Sequence, residues 1–174
     1  MIICVTGKIG TGKSTVSRFF ENLGFAYINV DKLGHIAFEM NIEKILNAFG
    51  TRERKEIVTL VFKDQQKLRM LESIVHPTIK QLLEEELKKH NGKNIVIEAA
   101  IRRRLQINCC DVILTVVSSI ENIKKRLSGK YPEDLIVEIL EKQDDVFEEG
   151  IVVENNGTIE ELEKQLENIW KKIS

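Results

Sequence analysis

The chain has 174 residues, the length of one domain with room for a small insertion, and it needs no disulfide or metal ion to bury an adequate core. Its 26 basic and 27 acidic side chains give a net charge of −1, which excludes a generally basic nucleic-acid-binding protein. The apolar runs are far shorter than the ~20 residues that cross a bilayer, and the N-terminus lacks the charged region of a signal peptide. We therefore expect a soluble cytoplasmic protein without nucleic-acid or membrane partners.

Predicted strands and helices alternate along most of the chain. Short apolar runs bounded by turn residues predict strands over residues 2–6, 25–28, 94–98, 111–117 and 151–154. Apolar side chains at helical spacing predict helices over residues 13–23, 32–40, 42–49, from 57, after His76-Pro77, over 119–127 and 133–142, and from 158. This alternation predicts a three-layer α/β fold with a five-stranded parallel sheet and a helical insertion over about residues 32–91.

The turn after the first predicted strand carries the pattern G-x-x-x-x-G-K-[ST]. Gly7, Gly12, Lys13 and Ser14 fill its fixed positions, between a buried strand and a helix. Glycines let backbone N–H groups converge on phosphates, and a helix N-terminus adds its dipole. The pattern predicts that Lys13 contacts the β- and γ-phosphates of ATP and that the Ser14 hydroxyl binds Mg²⁺. The residues predicted to hold ATP here are Gly7, Ile9, Gly10, Thr11, Gly12, Lys13, Ser14 and Thr15.

Two large classes of P-loop protein do not fit the rest of the sequence. The Asn-Lys-x-Asp motif with which GTPases bind guanine is missing. Leu127-Ser128-Gly129 begins like the signature of ABC ATPases, but Lys130 breaks that match. A short chain with an N-terminal phosphate-binding turn and a helical insertion is typical of a kinase that acts on a small molecule.

Asp31 follows the second predicted strand, at the sheet edge where ligands bind in open α/β folds. A carboxylate there can orient or deprotonate an acceptor hydroxyl that attacks the γ-phosphate. Asp is also a favoured N-cap residue, and a helix is predicted from residue 32. Position alone leaves the catalytic and the capping interpretations open.

Several segments, in chain order, resemble the dephospho-coenzyme A kinase family. They extend along nearly the whole chain and comprise residues 6–16, Asn29-Val30-Asp31, Arg54-Lys55, Leu71-Glu72, His76-Pro77-Thr78-Ile79 and Asn155-Asn156-Gly157. The phosphate-binding turn is common to many P-loop enzymes. The ordered set of Asp31, the His-Pro-x-Ile segment and the Asn-x-Gly segment makes the match specific.

The resemblance implies an enzyme that transfers the γ-phosphate of ATP to the ribose 3′-hydroxyl of dephospho-CoA, the last step of coenzyme A synthesis. It implies that Asp31 is the base for that hydroxyl and that Asn155 lies in the loop that holds the adenine. It also implies that three residues of the helical insertion line the dephospho-CoA site, namely His76, Arg54 and Lys55. Without the resemblance, the histidine is interpreted as a helix cap or core residue, the basic pair as solvated, and the asparagine as a turn or cap residue.

The resemblance also implies a division of one kinase domain that spans residues 1–174. The nucleotide-binding core is expected over about residues 1–31 and 92–174, and the helical acceptor subdomain over about residues 32–91. A small lid is expected over about residues 126–147.

The residues expected to bind Mg²⁺ depart from the family pattern. Asn29 stands where the family has a first carboxylate, so metal binding from that position is weaker. Glu98 ends the third predicted strand, where many P-loop enzymes have an acid beside the metal. We hypothesise that Glu98 replaces the missing carboxylate.

The lid departs further. Arg126 matches one of the two lid arginines of the family and is predicted to contact the transferring phosphate, whereas Lys130 offers a point charge in place of the second. The segment after residue 143 is short and acidic, with Asp144, Asp145, Glu148 and Glu149 where basic residues are usual. A basic triplet after the third strand has two open interpretations, phosphate contact or a solvated helix face; it comprises Arg102, Arg103 and Arg104.

Charge is distributed unevenly along the chain. Residues 1–130 carry 22 basic and 14 acidic side chains, whereas residues 131–174 carry 4 and 13. The split is compatible with an anion-binding side and equally with an acidic, solvated pair of helices at the end of the chain.

The three cysteines are Cys4, Cys109 and Cys110. They have no metal-ligand spacing, and adjacent cysteines rarely bridge. The sequence therefore predicts reduced, packed thiols.

Two functions compete with dephospho-CoA phosphorylation. One is phosphorylation of another nucleoside, nucleotide or small molecule by a related kinase. The other is nucleotide binding without catalysis, as in a regulator. We expect a monomer or a small homo-oligomer.

Overall fold

The computed structural model describes residues 1–143 and 146–174, and it divides into two compact units. One unit, here called the sheet unit, comprises Met1–Asn29 and Gly92–Ser174. The other, the helical unit, comprises Val30–Asn91. The strands are β1 (Ile2–Thr6), β2 (Ala26–Asn29), β3 (Ile95–Glu98), β4 (Val112–Val117) and β5 (Ile151–Glu154). The helices are α1 (Lys13–Asn22), α2 (Val30–Met40), α3 (Ile42–Phe49), α4 (Arg54–Lys63), α5 (Gln65–Lys89), α6 (Ile120–Leu127), α7 (Glu133–Lys142) and α8 (Ile159–Ile173).

The five strands form one all-parallel sheet in the order β2-β3-β1-β4-β5. The predicted α/β fold with a five-stranded parallel sheet is thus confirmed, and each strand lies within one residue of its predicted bounds. Because all strands are parallel, their carboxyl ends meet at one edge of the sheet. The turn after the central strand β1 lies at this edge.

The core of the sheet unit is apolar and partly aromatic. Ile3 and Val5 of β1 pack with side chains of α1 and α8 in one buried cluster. Within it Phe20, Phe25 and Trp170 meet edge to face, with ring centroids 5.4–6.4 Å apart. Helix α8 begins at a capping box in which Thr158 and Glu161 exchange hydrogen bonds, as its sequence predicts.

The helical unit contains α2, α3, α4 and α5. Phe38, Ile45 and Ile57 form its buried centre, and partly buried apolar side chains of α5 pack on them. The Asp64 side chain starts α5 by accepting hydrogen bonds from the backbone N–H groups of Gln66 and Lys67.

The helix that was predicted after His76-Pro77 begins earlier than expected. Helix α5 runs through Pro77 without a break, from Gln65 to Lys89. A proline inside a helix removes one hydrogen bond and costs about 3 kcal/mol. Leu71 and Val75 pack on the buried centre before the proline, and Ile79 is buried after it, so packing on both sides offsets that cost.

The prediction of three reduced cysteines is wrong for two of them. Cys4 and Cys110 form a disulfide with Cα atoms 5.6 Å apart, and Cys109 is free and exposed. Adjacency disfavours a bond only between Cys109 and Cys110. Strand order overturns the prediction, because β4 lies beside β1 and brings Cys110, two residues before β4, to Cys4.

In residues 1–143 and 146–174, no helix is both long enough and apolar enough to cross a membrane.

Candidate active site

The phosphate-binding loop, residues 7–14, joins β1 to α1. Gly7, Gly10 and Gly12 have φ values of 145°, 75° and 98°, which L side chains rarely adopt. A Cβ atom on Gly7 would collide with the Val116 carbonyl oxygen, and one on Gly12 with the Asn155 amide. The glycines therefore allow the loop to lie directly against β4 and the segment after β5.

Lys13 is the first residue of α1 and is only 8% exposed. Its Nζ donates a hydrogen bond to the Lys8 carbonyl oxygen at 3.1 Å, so the ammonium is folded across the loop. Thr11, also buried, donates from its hydroxyl to the same carbonyl group at 2.9 Å. The loop thus presents a lysine and a helix N-terminus at one place, as anion binding requires.

Four polar side chains meet at the carboxyl ends of β2 and β3. Glu98 is 3% exposed, and Ser14 donates to its Oε1 at 2.8 Å. The Tyr27 hydroxyl donates a short hydrogen bond to Glu98 Oε2, and the Asn29 Nδ2 donates to the Tyr27 oxygen at 3.0 Å. Burial and the neighbouring carboxylate raise the pKa of Tyr27 to about 12. The phenol therefore remains a hydrogen-bond donor at neutral pH.

This cluster supplies oxygen donors of the kind that Mg²⁺ prefers. Ser14 and Glu98, which the sequence singles out, are in direct contact. Asn29 joins this network through its hydrogen bond to Tyr27, which in turn donates to Glu98. Nothing in the sequence motif indicated Tyr27; the pairing of β2 with β3 places it beside the acid.

Arg126 and Asn155 meet behind the phosphate-binding loop. The Arg126 guanidinium donates to the carbonyl oxygens of Gly10, Thr11 and Asn155, the last at 2.7 Å, and to the Ser118 hydroxyl. Asn155 is 7% exposed, and its Nδ2 donates to the Thr11 oxygen at 2.8 Å. These contacts hold the outer side of the loop in place. Lys130 lies in the exposed turn between α6 and α7.

A cavity of about 440 Å³ lies beside the loop in the sheet unit. Gly7, Lys8 and Thr11 line one side, residues 115–118 at the end of β4 another, and residues 146–148 a third. Phe147, in the last of these segments, is covered by the Arg103 guanidinium at 3.9 Å from the ring centroid.

Arg102, of the basic triplet after β3, and Glu149, of the acidic segment after residue 143, form an ion pair. Arg102 is 8% exposed, and its Nε and Nη2 donate to the carboxylate of Glu149 at 2.6–3.1 Å. Its Nη1 donates to the Ile107 carbonyl oxygen at 2.6 Å. The charge of Glu149 is thus matched within the protein, and Arg102 is neither solvated nor directed at a ligand. Asp144 and Asp145, two other acids of this run, lie outside the described residues.

Four predicted acceptor-side residues lie in the helical unit. Asp31 is exposed in the first turn of α2. His76 lies within α5, with its Nε2 3.9 Å from Glu72 Oε1. Arg54 and Lys55 begin α4; the guanidinium of Arg54 stacks on the Phe38 ring at 5.4 Å, whereas Lys55 is exposed.

Comparison with known proteins identifies the family. A family model described as "Dephospho-CoA kinase" matches residues 1–161. The dephospho-CoA kinase of Borreliella burgdorferi is 34% identical, over 96% of this chain and 91% of its own length. A crystal structure from Thermus thermophilus has a TM-score of 0.85 at 26% identity and covers 100% of this chain and 98% of that chain. The dephospho-CoA kinase of Campylobacter jejuni, 21% identical, has the same fold, with a TM-score of 0.70 over 99% of this chain and 96% of that one. Because the family model matches all but the last 13 residues, the chain belongs to the dephospho-CoA kinase family.

Proposed function

We propose that this protein transfers the γ-phosphate of ATP to the ribose 3′-hydroxyl of dephospho-CoA. The observation that carries the proposal is the phosphate-binding loop, which opens α1 and ends at Ser14, whose hydroxyl donates to the buried carboxylate of Glu98. Membership of the dephospho-CoA kinase family supplies the acceptor. The reaction is an in-line transfer, which depends on positioning and charge more than on covalent chemistry.

The nucleotide side consists of the loop and its supports. Residues 7–15 bind the phosphates, with Lys13 moving from the Lys8 carbonyl to the β- and γ-phosphate oxygens. Arg126 and Asn155 hold the loop at its carbonyl oxygens, and Asn155 lies on the adenine side. In the loaded enzyme Arg126 leaves these carbonyl groups and reaches the transferring phosphate from a lid over about residues 126–147.

Ser14 and Glu98 fit a magnesium site. Their oxygen atoms are hard ligands, and the hydrogen bond between them places both at one point beside the loop. Ser14 would hold the ion through its hydroxyl and Glu98 through its carboxylate, and the ion would neutralise charge on the phosphate oxygens of ATP.

The acceptor side belongs to the helical unit. Asp31, at the start of α2, accepts the proton of the 3′-hydroxyl or orients the hydroxyl for attack. His76, Arg54 and Lys55 bind dephospho-CoA, whose phosphates match the charge of the basic pair. We place the enzyme in the cytoplasm, as a monomer or small homo-oligomer.

A substrate panel tests the proposal. ADP release is measured with dephospho-CoA, AMP, dTMP and shikimate, and the product is identified by mass. We expect turnover with dephospho-CoA alone. Turnover with another acceptor and not with dephospho-CoA would show a different kinase, and ATP binding without any turnover would show a regulator.

Asp31→Asn separates catalysis from binding. We expect kcat to fall by about 100-fold, as for loss of a general base, while ATP affinity stays within about twofold. The matched control is Glu39→Gln, an exposed acid at the other end of α2. A variant with wild-type kcat would remove Asp31 from the mechanism.

A further inference from the structure

Lys8 occupies a variable position of the phosphate-binding loop, yet its side chain makes a long-range contact. Its Nζ donates to the carbonyl oxygen of Leu140 at 3.0 Å, across 132 residues of sequence. Leu140 lies in the last turn of α7, where carbonyl groups lack partners within the helix and carry the negative end of its dipole. The phosphate-binding loop thus supplies a cation to the C-terminus of α7.

The next residue of the loop binds the same helix end. The backbone N–H of Ile9 donates to Oε1 of Gln143, the C-cap residue of α7, at 2.9 Å. The Ile9 side chain packs on the buried apolar cluster between α6 and α7, which comprises Ile123, Leu127, Ile136 and Leu140. Two consecutive loop residues therefore attach α7 through two hydrogen bonds and an apolar contact.

Lys8 also borders the cavity beside the phosphate-binding loop. It lines the cavity of about 440 Å³ together with Gly7 and Thr11, and its carbonyl group accepts the bond from Lys13. An ammonium has three N–H donors, so the bond to Leu140 is compatible with bonds to phosphate oxygens.

Helix α7 is acidic, so its own charge would not attract it to a polyphosphate. Helix α7 has four acidic residues, Glu133, Asp134, Glu138 and Glu141, against the single base Lys142. Lys8 provides a cation between this helix and the loop.

We propose that Lys8 is a positioning residue that couples the nucleotide phosphates to α7. In the loaded enzyme its ammonium bridges a phosphate oxygen and the Leu140 carbonyl, and this bridge holds α7 against the loop during transfer. The proposal rests on the proposed function, since it takes ATP as the ligand of the loop.

The test compares wild type with Lys8→Met and Lys8→Arg. Met keeps the apolar stem, and Arg keeps a charged donor. Lys125→Met is the control, because Lys125 is an exposed lysine of α6 outside the loop. For each protein we measure amide hydrogen exchange in residues 133–143 with and without a non-hydrolysable ATP analogue and Mg²⁺, the Kd of the analogue, and kcat with dephospho-CoA.

We expect the analogue to slow exchange in α7 of wild type, Lys8→Arg and Lys125→Met but not of Lys8→Met. We expect kcat of Lys8→Met to fall by about tenfold or more and the Kd of the analogue to rise by about tenfold, because the same charged hydrogen bond to phosphate is lost. Equal slowing of α7 exchange in wild type and Lys8→Met would overturn the proposal. So would a wild-type Kd in Lys8→Met, because an ammonium that bridges phosphate and α7 must contribute to analogue binding.

Failure of the proposed function gives a different result. If wild type binds no ATP analogue, the phosphates are not ligands of this loop, and the coupling to them is refuted along with the function. If wild type binds the analogue but phosphorylates another acceptor, the exchange measurements still test Lys8, because they need no acceptor.

Discussion

The Tyr27 hydroxyl gives Glu98 a second hydrogen-bond donor beside Ser14. A buried carboxylate with fixed donors on both oxygens keeps one orientation, as the magnesium site proposed for it requires. Asn29 stands where the family has its first carboxylate. Its Nδ2 donates a hydrogen bond to the Tyr27 phenol oxygen and so helps to fix the phenol. The loss of one acid is therefore accompanied by a network that fixes another.

Glu98→Gln should weaken the binding of Mg²⁺. We expect the Mg²⁺ concentration for half-maximal activity to rise by about tenfold or more, the scale seen when metal-side partners are lost. Tyr27→Phe removes only the supporting bond and should give a smaller rise. Direct titration of Mn²⁺ by electron paramagnetic resonance checks the same order of affinities without turnover. Identical metal titrations in wild type and Glu98→Gln would contradict the proposed site.

Arg126 joins four acceptors at the back of the phosphate-binding loop. Arg126→Ala should lower kcat by at least about tenfold, because it removes several charge-assisted hydrogen bonds and a cation near the phosphates. Arg126→Lys keeps the charge but not the planar fork, so its kcat should lie between those of wild type and Arg126→Ala. Steady-state kinetics with dephospho-CoA measures both. A wild-type kcat in the alanine variant would exclude Arg126 from the mechanism.

At the scale of elements, the ion pair of buried Arg102 and partly buried Glu149 ties the segment before β5 to the turns after β3. Removing Arg102 leaves this carboxylate with the more distant guanidinium of Arg103, 3.8 Å away. Arg102→Met should therefore lower the free energy of unfolding by about 3 kcal/mol, measured by urea denaturation.

The double variant Arg102→Met with Glu149→Leu is the control for this pair. It removes both charges and should recover most of the lost stability. An equal loss in the single and double variants would mean that the apolar stem of Arg102, and not the ion pair, holds the segment.

Elements differ in how far the sequence could predict them. The strands and α7 were predictable within a residue because apolar runs and turn residues bound them locally. Helix α5 was not, because Pro77 is a local signal for a helix start, and only packing on the Phe38 cluster keeps the helix intact around it. The sequence close to the proline carries no signal of this tertiary packing.

The residues of the candidate site also differ in how far the sequence could predict them. Gly7, Gly12, Lys13 and Ser14 follow from a motif whose spacing is dictated by phosphate geometry. Tyr27, Lys8 and Arg102 do not, since their partners lie 71, 132 and 47 residues away along the chain. Such contacts depend on strand order and on the positions of α7 and of the turns after β3.

Across the whole molecule, the Cys4–Cys110 bond predicts a distinct thiol count. In denaturant without reductant, a thiol reagent should label Cys109 alone, and after reduction it should label all three cysteines. Mass spectrometry of the labelled protein gives the count. Three labelled thiols before reduction would restore the expectation of reduced cysteines.

The single tryptophan lies in the aromatic core of the sheet unit, against Phe20 and Phe25. Its fluorescence therefore reports the melting of that unit, whereas far-ultraviolet circular dichroism sums the helices of both units. Coincident transitions from the two signals would show that the sheet and helical units unfold as one cooperative body. A circular dichroism change that precedes the fluorescence change would show that the helical unit opens while the sheet unit is still folded.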